Sequence, residues 1–249
     1  MRLAELRASA TAAHVGPLVV FTALNLVPGW FKIENSELPW HVQAPEIWWY
    51  PVQTLICAGL LLWWRHHYTL APWRGLGLSV RLALLGIVIW VLPGLAYLSL
   101  SKGEPFHAPW AEWLGVVKRE DGFDPTVVAG SSLGYAVTVF LRFARSVLVV
   151  PFVEELCWRG WLMRYVVAKG RPFQLVAFGT HRWAAFWVVT VAVMLVHQPV
   201  DYLPAFVWGA LMYFLAVRTK SLGACVFMHA VGNLALGIYV MRTGQWGFW

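Results

Sequence analysis

The chain is poor in charged residues for its length. Only 12% of its 249 residues are charged, whereas 59% are hydrophobic; a soluble globular domain typically carries about 25% charged residues. This balance excludes an ordinary soluble domain and predicts an integral membrane protein. The chain also lacks the alternating apolar and polar segments of a membrane barrel, so its spanning segments should be helices.

Cysteines are scarce as well. Cys57, Cys157 and Cys225 lie in apolar stretches without a CxxC spacing, so we expect small buried side chains rather than disulfides or a zinc cluster. The net charge of +7 comes mostly from basic residues scattered singly between apolar runs. This pattern favours loops that face anionic lipid headgroups over a nucleic-acid surface, and no nucleic-acid partner is predicted.

Hydropathy predicts an all-α, polytopic transmembrane bundle of about eight helices, forming a single integral membrane domain over residues 1–249. The predicted spans are approximately 11–31, 46–64, 80–100, 127–150, 152–168, 183–198, 203–217 and 222–241. Polar loops are expected at 32–46 and 101–126. The 17 tryptophans are typical of aromatic belts at the membrane interfaces.

The distribution of Lys and Arg predicts a cytoplasmic N-terminus and a cytoplasmic 65–81 loop. Eight full crossings would then place the basic 169–182 segment outside the cell. This contradicts the rule that loops rich in Lys and Arg face the cytoplasm. Two interpretations remain open: the 127–168 region crosses once, with a break at Pro151, or the rule fails here.

Two adjacent glutamates interrupt the apolar part of the chain, in the stretch PFVEELCWRG. A helix that starts after Pro151 would place Glu154 and Glu155 in its first turn, pointing about 100° apart. Arg159 lies four residues after Glu155, in the order that favours an ion pair, whereas Glu154 has no such neighbour. A charge at the bilayer centre costs about 3 kcal/mol, so these groups should be paired or line a wet cavity. An amphipathic segment at the interface is the alternative.

Three further polar side chains lie on apolar helices that could supply partners. His197 ends the run VVTVAVMLVHQP, and His229 and Asn233 lie one turn apart in FMHAVGNLALG. Individually they could join helices through hydrogen bonds. Together with Glu154 they provide a general base, a water-orienting imidazole and two oxyanion donors. These are the groups that a hydrolase needs in its active site.

These residues resemble the CPBP family of intramembrane proteases, which includes the type II CAAX prenyl endopeptidases and bacteriocin-processing or immunity proteins. The family motifs EExxxR and HxxxN are present as EELCWR and HAVGN. The motif FxxxH is present as VMLVH, with Val193 in place of Phe. The resemblance covers roughly 125–241, and EELCWRGWLMRY also resembles the CAAX-related branch found beside bacterial exosortase systems.

The resemblance implies that Glu154 and His197 activate water, that His229 and Asn233 stabilise the oxyanion, and that Glu155 and Arg159 hold the first motif in place. It implies no obligatory metal or other cofactor. It also implies a membrane protein or lipidated peptide as substrate and, for this chain, the bacterial inner membrane as location. The oligomeric state is left open.

Several alternatives compete with this interpretation. A metal held by Glu154, His197 and His229 is one, although the zinc-protease motif HExxH is absent. GSSLG, with Ser132 at its centre, matches a serine-hydrolase motif but lacks the expected strand. Arg142 and Arg145 could extend to the surface or face a cavity and bind a substrate carboxylate. A non-proteolytic membrane protein, such as an immunity factor, scaffold or small transporter, is the alternative of a different class.

Overall fold

The computed structural model describes residues 3–33, 35, 37–119 and 122–249, so the predicted 32–46 and 101–126 loops fall partly outside the described residues. Within the described ranges the regular elements are helical and there is no strand. Five helical segments are long and apolar enough to cross a membrane. They are Ala10–Phe31, Leu76–Ser101, Ser132–Ala168, Pro199–Thr219 and Leu222–Thr243. The predicted all-α membrane architecture is therefore confirmed.

Seven helices of at least 13 residues are found among the described residues. They are α1 (Ala10–Asn25), α2 (Glu46–Trp63), α3 (Leu76–Ser101), α4 (Ser132–Ala168), α5 (Trp183–Leu195), α6 (Tyr202–Thr219) and α7 (Leu222–Thr243). Shorter α-helices are Leu3–Ala8, Val27–Phe31, Trp40–Gln43 and Pro109–Trp113, the last within the predicted 101–126 loop. Single 3₁₀ turns are Arg65–His67, Pro125–Val128, Phe173–Leu175, Pro199–Asp201 and Trp246–Phe248.

Helix α4 replaces two of the predicted spans. The segments 127–150 and 152–168 were expected as separate helices, but the helical run is continuous from Ser132 to Ala168. Two π-helical segments, Ala144–Val149 and Leu156–Leu162, lie within it. Pro151 lies two residues after the end of the first of them. Proline lacks a backbone N–H, and the wider preceding turn accommodates its ring without ending the helix.

Serine caps define where three of the long helices begin. The side chains of Ser9, Ser131 and Ser221 each accept a hydrogen bond from the backbone N–H three residues later, at the starts of α1, α4 and α7. Ser221 follows directly on Lys220, which ends α6 in the left-handed conformation (φ 52°). The α6–α7 connection is thus a tight turn.

The chain divides into two compact units, of which the first comprises Met1–Thr69 and Phe123–Cys157. In this unit α1 packs against α2 and against the Val150–Glu155 part of α4, while the Ala144–Val149 part contacts α2. Their shared apolar core consists of Phe21, Cys57, Val149, Val150 and Val153.

The second unit comprises Leu70–Gly122 and Trp158–Trp249. Here α3 packs against both α6 and α7, and α6 packs against α5. The residues at the centre of these contacts are fully or almost fully buried: Val189, Val193, Met212, Leu215 and Met228. The end of α5, which His197 follows, and helix α7, which carries His229 and Asn233, therefore belong to one unit.

Candidate active site

The two adjacent glutamates of the first motif lie in the Val150–Glu155 part of α4, between the two π-helical segments. Glu155 is completely buried, whereas Glu154 is half-buried. The prediction that they lie in the first turn of a helix is wrong, because α4 begins at Ser132 and continues through Pro151. Stabilisation by a helix N-terminus therefore does not apply. The two side chains thus differ in burial, and the predicted difference in their pairing with Arg159 stays a prediction.

Arg145 forms the centre of a buried polar network in the same unit. Its side chain is only 7% exposed, so it does not extend to the surface as one of the predicted alternatives required. Arg145 Nε donates to Gln53 Oε1 (3.1 Å) and its Nη2 donates to Asn25 Oδ1 (2.8 Å). Gln53 Nε2 also donates to Asn25 Oδ1 (2.8 Å). Side chains from α1, α2 and α4 thus share one hydrogen-bonded cluster.

Two aromatic rings also pack against the guanidinium group of Arg145. Arg145 Cζ lies 4.1 Å from the ring centroid of Tyr50 and 4.8 Å from that of Phe21, distances at which a cation is attracted to the ring face. The charges on Arg145 and Glu154 also attract each other within this unit. Arg145 therefore fixes a positive charge on the helix that carries Glu154.

Arg159, the basic residue of the first motif, lies in the second unit and is 1% exposed. Its Nη2 donates to the backbone carbonyl of Gly209 on α6 (3.4 Å). Gly209 lies so close to α5 that a Cβ there would be 3.2 Å from Thr190 Cγ2. Arg159 thus connects α4 to α6 within this unit. The ion pair with Glu155 stays a prediction.

His197 lies just beyond the end of α5 and is half-buried. Its Nδ1 lies 2.7 Å from the backbone carbonyl oxygen of Val193. A carbonyl can only accept a hydrogen bond, so Nδ1 carries the proton and, in the neutral ring, Nε2 is the acceptor. An imidazole held in this way can accept a hydrogen bond from water through Nε2. Val193, which stands where the family has Phe, is itself buried in this unit.

Two tryptophans connect the predicted catalytic histidines. The ring of His197 contacts Trp90 (centroids 5.4 Å apart), Trp90 contacts Trp208 (6.5 Å), and Trp208 contacts His229 (5.7 Å). All four rings meet edge to face. The second unit thus brings His197 and His229 to the same aromatic pair. Trp90 and Trp208 were not predicted as site residues, because tryptophans in an apolar chain are typical of interface belts.

His229 and Asn233 lie one turn apart on α7, and His229 is buried while Asn233 is half-buried. Gly232 lies between them, and a Cβ at this position would be 2.4 Å from Trp208 Cη2. The absence of a side chain at Gly232 is what allows the Trp208 ring to approach α7. The spacing of Gly232 from His229 was the signal in the sequence that could have indicated this close contact.

The structure also shows where the two competing sites, the GSSLG motif and a possible metal site, stand. Ser131 caps α4 by accepting from Gly134 N–H, and Ser132 is the first residue of that helix, so GSSLG forms the start of a helix. Among the residues that the structure describes, no group of three or more His, Cys, Asp or Glu side chains is arranged to hold a metal ion.

Taken with its composition, the helical architecture defines an integral membrane protein that places two histidines and an asparagine in one packed unit. The family model described as "Type II CAAX prenyl endopeptidase Rce1-like" matches residues 136–235. This range contains all three sequence motifs, and the predicted resemblance to CAAX-type proteases is confirmed at the family level. No curated protein and no solved structure matches the chain.

Proposed function

We propose that this chain is an intramembrane endopeptidase that hydrolyses a peptide bond of a membrane-associated protein or lipidated peptide. One observation carries the proposal: the range that matches the CAAX endopeptidase family includes Glu154, His197, His229 and Asn233. The contact of both histidines with the Trp90–Trp208 pair supports it independently. The bacterial inner membrane is the proposed location.

The proposed reaction uses the side chains in four roles. Glu154 accepts a proton from water while His197 Nε2 orients that water, and the resulting hydroxide attacks the scissile carbonyl carbon. The carbonyl oxygen takes up negative charge, to which His229 and Asn233 donate hydrogen bonds. The C–N bond then breaks, and the proton held by Glu154 passes to the leaving amine. No metal has a role in these steps.

The difference in burial between the two glutamates decides which of them we assign as the general base. Glu154 is half-buried, so water and substrate can reach it, whereas Glu155 is completely buried. We therefore assign Glu155, with Arg159, to holding the first motif in place. Arg145 adds a buried positive charge that attracts the Glu154 carboxylate within the same unit.

The test compares the membrane proteomes of cells that express the wild-type protein, Glu154→Gln, or Glu112→Gln. Glu112 is exposed on the short helix Pro109–Trp113, so its replacement removes a carboxylate without touching the proposed site. New protein termini should appear with the wild type and Glu112→Gln, and should fall about 100-fold or more with Glu154→Gln. Protein yield and elution in size exclusion check that each variant folds.

Two results would contradict the proposal. Identical termini in all three strains, with folded protein present, would favour a non-proteolytic membrane scaffold or immunity factor. Loss of cleavage when a chelator is added to the purified enzyme, with recovery on returning zinc, would assign water activation to a metal instead. We expect cleavage to persist in the chelator.

A further inference from the structure

A surface cavity of about 530 Å³ lies in the first unit, well away in sequence from the three motifs. It is formed between the short helix Leu3–Ala8 and the end of α2, and three of its side chains are basic: Arg7, Arg65 and His66. The remaining walls are apolar, supplied by Ala4, Ala8, Leu62 and Trp63. This size lies within the range of small-molecule sites, and the lining combines cations with apolar surface.

Tertiary hydrogen bonds hold the basic groups together. His67 Nε2 donates to the backbone carbonyl of Arg7 (2.8 Å), and the buried indole of Trp64 donates from Nε1 to the carbonyl of Leu6 (3.3 Å). These contacts join two segments that are almost 60 residues apart in the chain. The fold therefore places like charges side by side, which costs free energy unless an anion is bound between them.

The positive charge of the cavity is largely uncompensated. Within the described part of the chain, the guanidinium groups of Arg7 and Arg65 have neither a hydrogen bond nor an ion pair to another side chain. Glu5 is the acidic residue of the same short helix. Desolvation, and then the positive charges of His67, Arg7 and Arg65, lowers the pKa of His66 below its ordinary value.

The position of the cavity points to a lipid. It lies where the apolar helix α2 ends in two tryptophans, Trp63 and Trp64, a pattern typical of the membrane interface. Leu62, on its wall, is 65% exposed, and nearby Leu3 is 75% exposed. Apolar side chains directly beside a cationic group match a ligand that has an anionic head and hydrocarbon chains, and a free anion would gain nothing from them.

We propose that this cavity binds the phosphate of an anionic phospholipid headgroup through Arg7, Arg65 and His66, with the acyl chains against Leu62 and Trp63. The site is independent of the proposed protease chemistry. It would attach the N-terminal helix and the end of α2 to the leaflet that holds the anionic lipid.

The test measures lipid binding to the full-length protein in a neutral detergent by native mass spectrometry. Phosphatidylglycerol, phosphatidylcholine and inorganic phosphate are titrated separately. The variant Arg7→Gln/Arg65→Gln is compared with Arg81→Gln/Arg218→Gln, which removes the same charge at arginines outside the cavity. We expect the wild type and the control variant to bind one phosphatidylglycerol preferentially, and the cavity variant to bind it about tenfold or more weakly.

One further variant tests whether charge alone is sufficient. Arg7→Lys/Arg65→Lys retains the charge and should retain most of the preference for phosphatidylglycerol, which also shows that altered cavity residues are compatible with folding. Equal losses in the cavity and control variants, or equal binding of phosphatidylcholine, would overturn the proposal. Inorganic phosphate binding as tightly as phosphatidylglycerol would overturn its assignment to a lipid.

Discussion

Individual charged residues in the apolar interior of this protein are accommodated by specific partners. Arg145 is buried among helices whose composition alone would exclude a cation, and its guanidinium is held by two amide side chains and two aromatic rings. A buried charge without such partners would cost several kcal/mol. Gln53 is the central partner, because it bonds both Arg145 and Asn25 and donates to the carbonyl of Phe21 (2.7 Å).

Replacing Gln53 with methionine should therefore destabilise the protein. Methionine keeps the length of the side chain but removes the acceptor for Arg145 Nε and the donor to Asn25 and Phe21. We expect the free energy of unfolding to fall by about 1–3 kcal/mol, the cost of leaving buried polar groups without partners. Thermal unfolding of the purified protein in detergent measures the change.

Gln174→Met is the matched control for this variant, because Gln174 is exposed and its side chain supports no buried network. Its melting temperature should stay close to that of the wild type. Equal melting temperatures for the two variants would show that the Gln53 network does not stabilise the fold.

At the scale of single residues, the sequence was sufficient to select candidate residues but did not predict their surroundings. The rarity of charge in apolar segments was sufficient to select Glu154, Glu155 and Arg159, because lipid penalises every unneeded charge. The protonation of His197 was not predictable, since the acceptor for Nδ1 is a backbone carbonyl whose position depends on how α5 ends. No pattern of side chains in the sequence encodes that contact.

At the scale of helices, the second unit is organised around Trp208. The ring lies between α3 and α7, where the Cβ of any residue at Gly86 or Gly232 would lie within 2.6 Å of it. Trp208 in turn contacts His229 and, through Trp90, His197. Two glycines thus allow the close approach of a ring that contacts His229 directly and His197 through Trp90.

The substitution Gly232→Ala should therefore disturb both stability and cleavage. The added methyl group would overlap Trp208 Cη2, which a Cβ would approach to 2.4 Å, and overpacking of this kind costs about 1–3 kcal/mol. Displacement of the ring should also change the orientation of His229 and lower the yield of cleaved termini. Thermal unfolding and the terminal-peptide assay measure the two effects separately.

Gly59→Ala is the matched control for Gly232→Ala. Gly59 lies on α2, and no other group lies within 4 Å of the point that a Cβ would occupy there, so alanine should be neutral or stabilising through its helix propensity. If Gly232→Ala behaved like Gly59→Ala in both assays, Trp208 would not hold the histidines in place.

At the scale of the whole molecule, the continuity of α4 favours one of the two interpretations of the Lys and Arg distribution, in which the 127–168 region crosses the membrane once. One helix over Ser132–Ala168, rather than two, leaves seven long helices in the described chain. With 18 residues, α2 is about 27 Å long and close to the hydrocarbon thickness, while α5, with 13, is the shortest. If each of the seven helices crosses the membrane once, the order of the chain puts the basic segments 64–75, 169–182 and 218–221 on one side.

We predict that these three segments face the cytoplasm, as the excess of Lys and Arg requires. Single cysteines introduced by Thr69→Cys, Gln174→Cys and Glu104→Cys, all at exposed positions, can be labelled with a membrane-impermeant maleimide. Thr69→Cys and Gln174→Cys should react only in inside-out vesicles, and Glu104→Cys only in right-side-out vesicles.

The native cysteines make this labelling experiment practical. Cys57, Cys157 and Cys225 are all buried, so the wild-type protein should remain unlabelled and serves as the control. Labelling of Gln174→Cys and Glu104→Cys from the same side would show that α4 does not cross the membrane once.

The sequence by itself determined the helical membrane architecture and selected the candidate residues for the proposed chemistry. Both follow from one physical constraint: a bilayer demands internally bonded backbones and tolerates few charges, so composition and rare polar residues are directly informative. Tertiary structure alone decided that α4 is continuous, that Arg145 bonds Gln53 and Asn25, and that Trp90 and Trp208 connect His197 to His229. Spacing along a helix specifies neighbours only within about one turn. Partners from distant helices meet through packing, which no local pattern records.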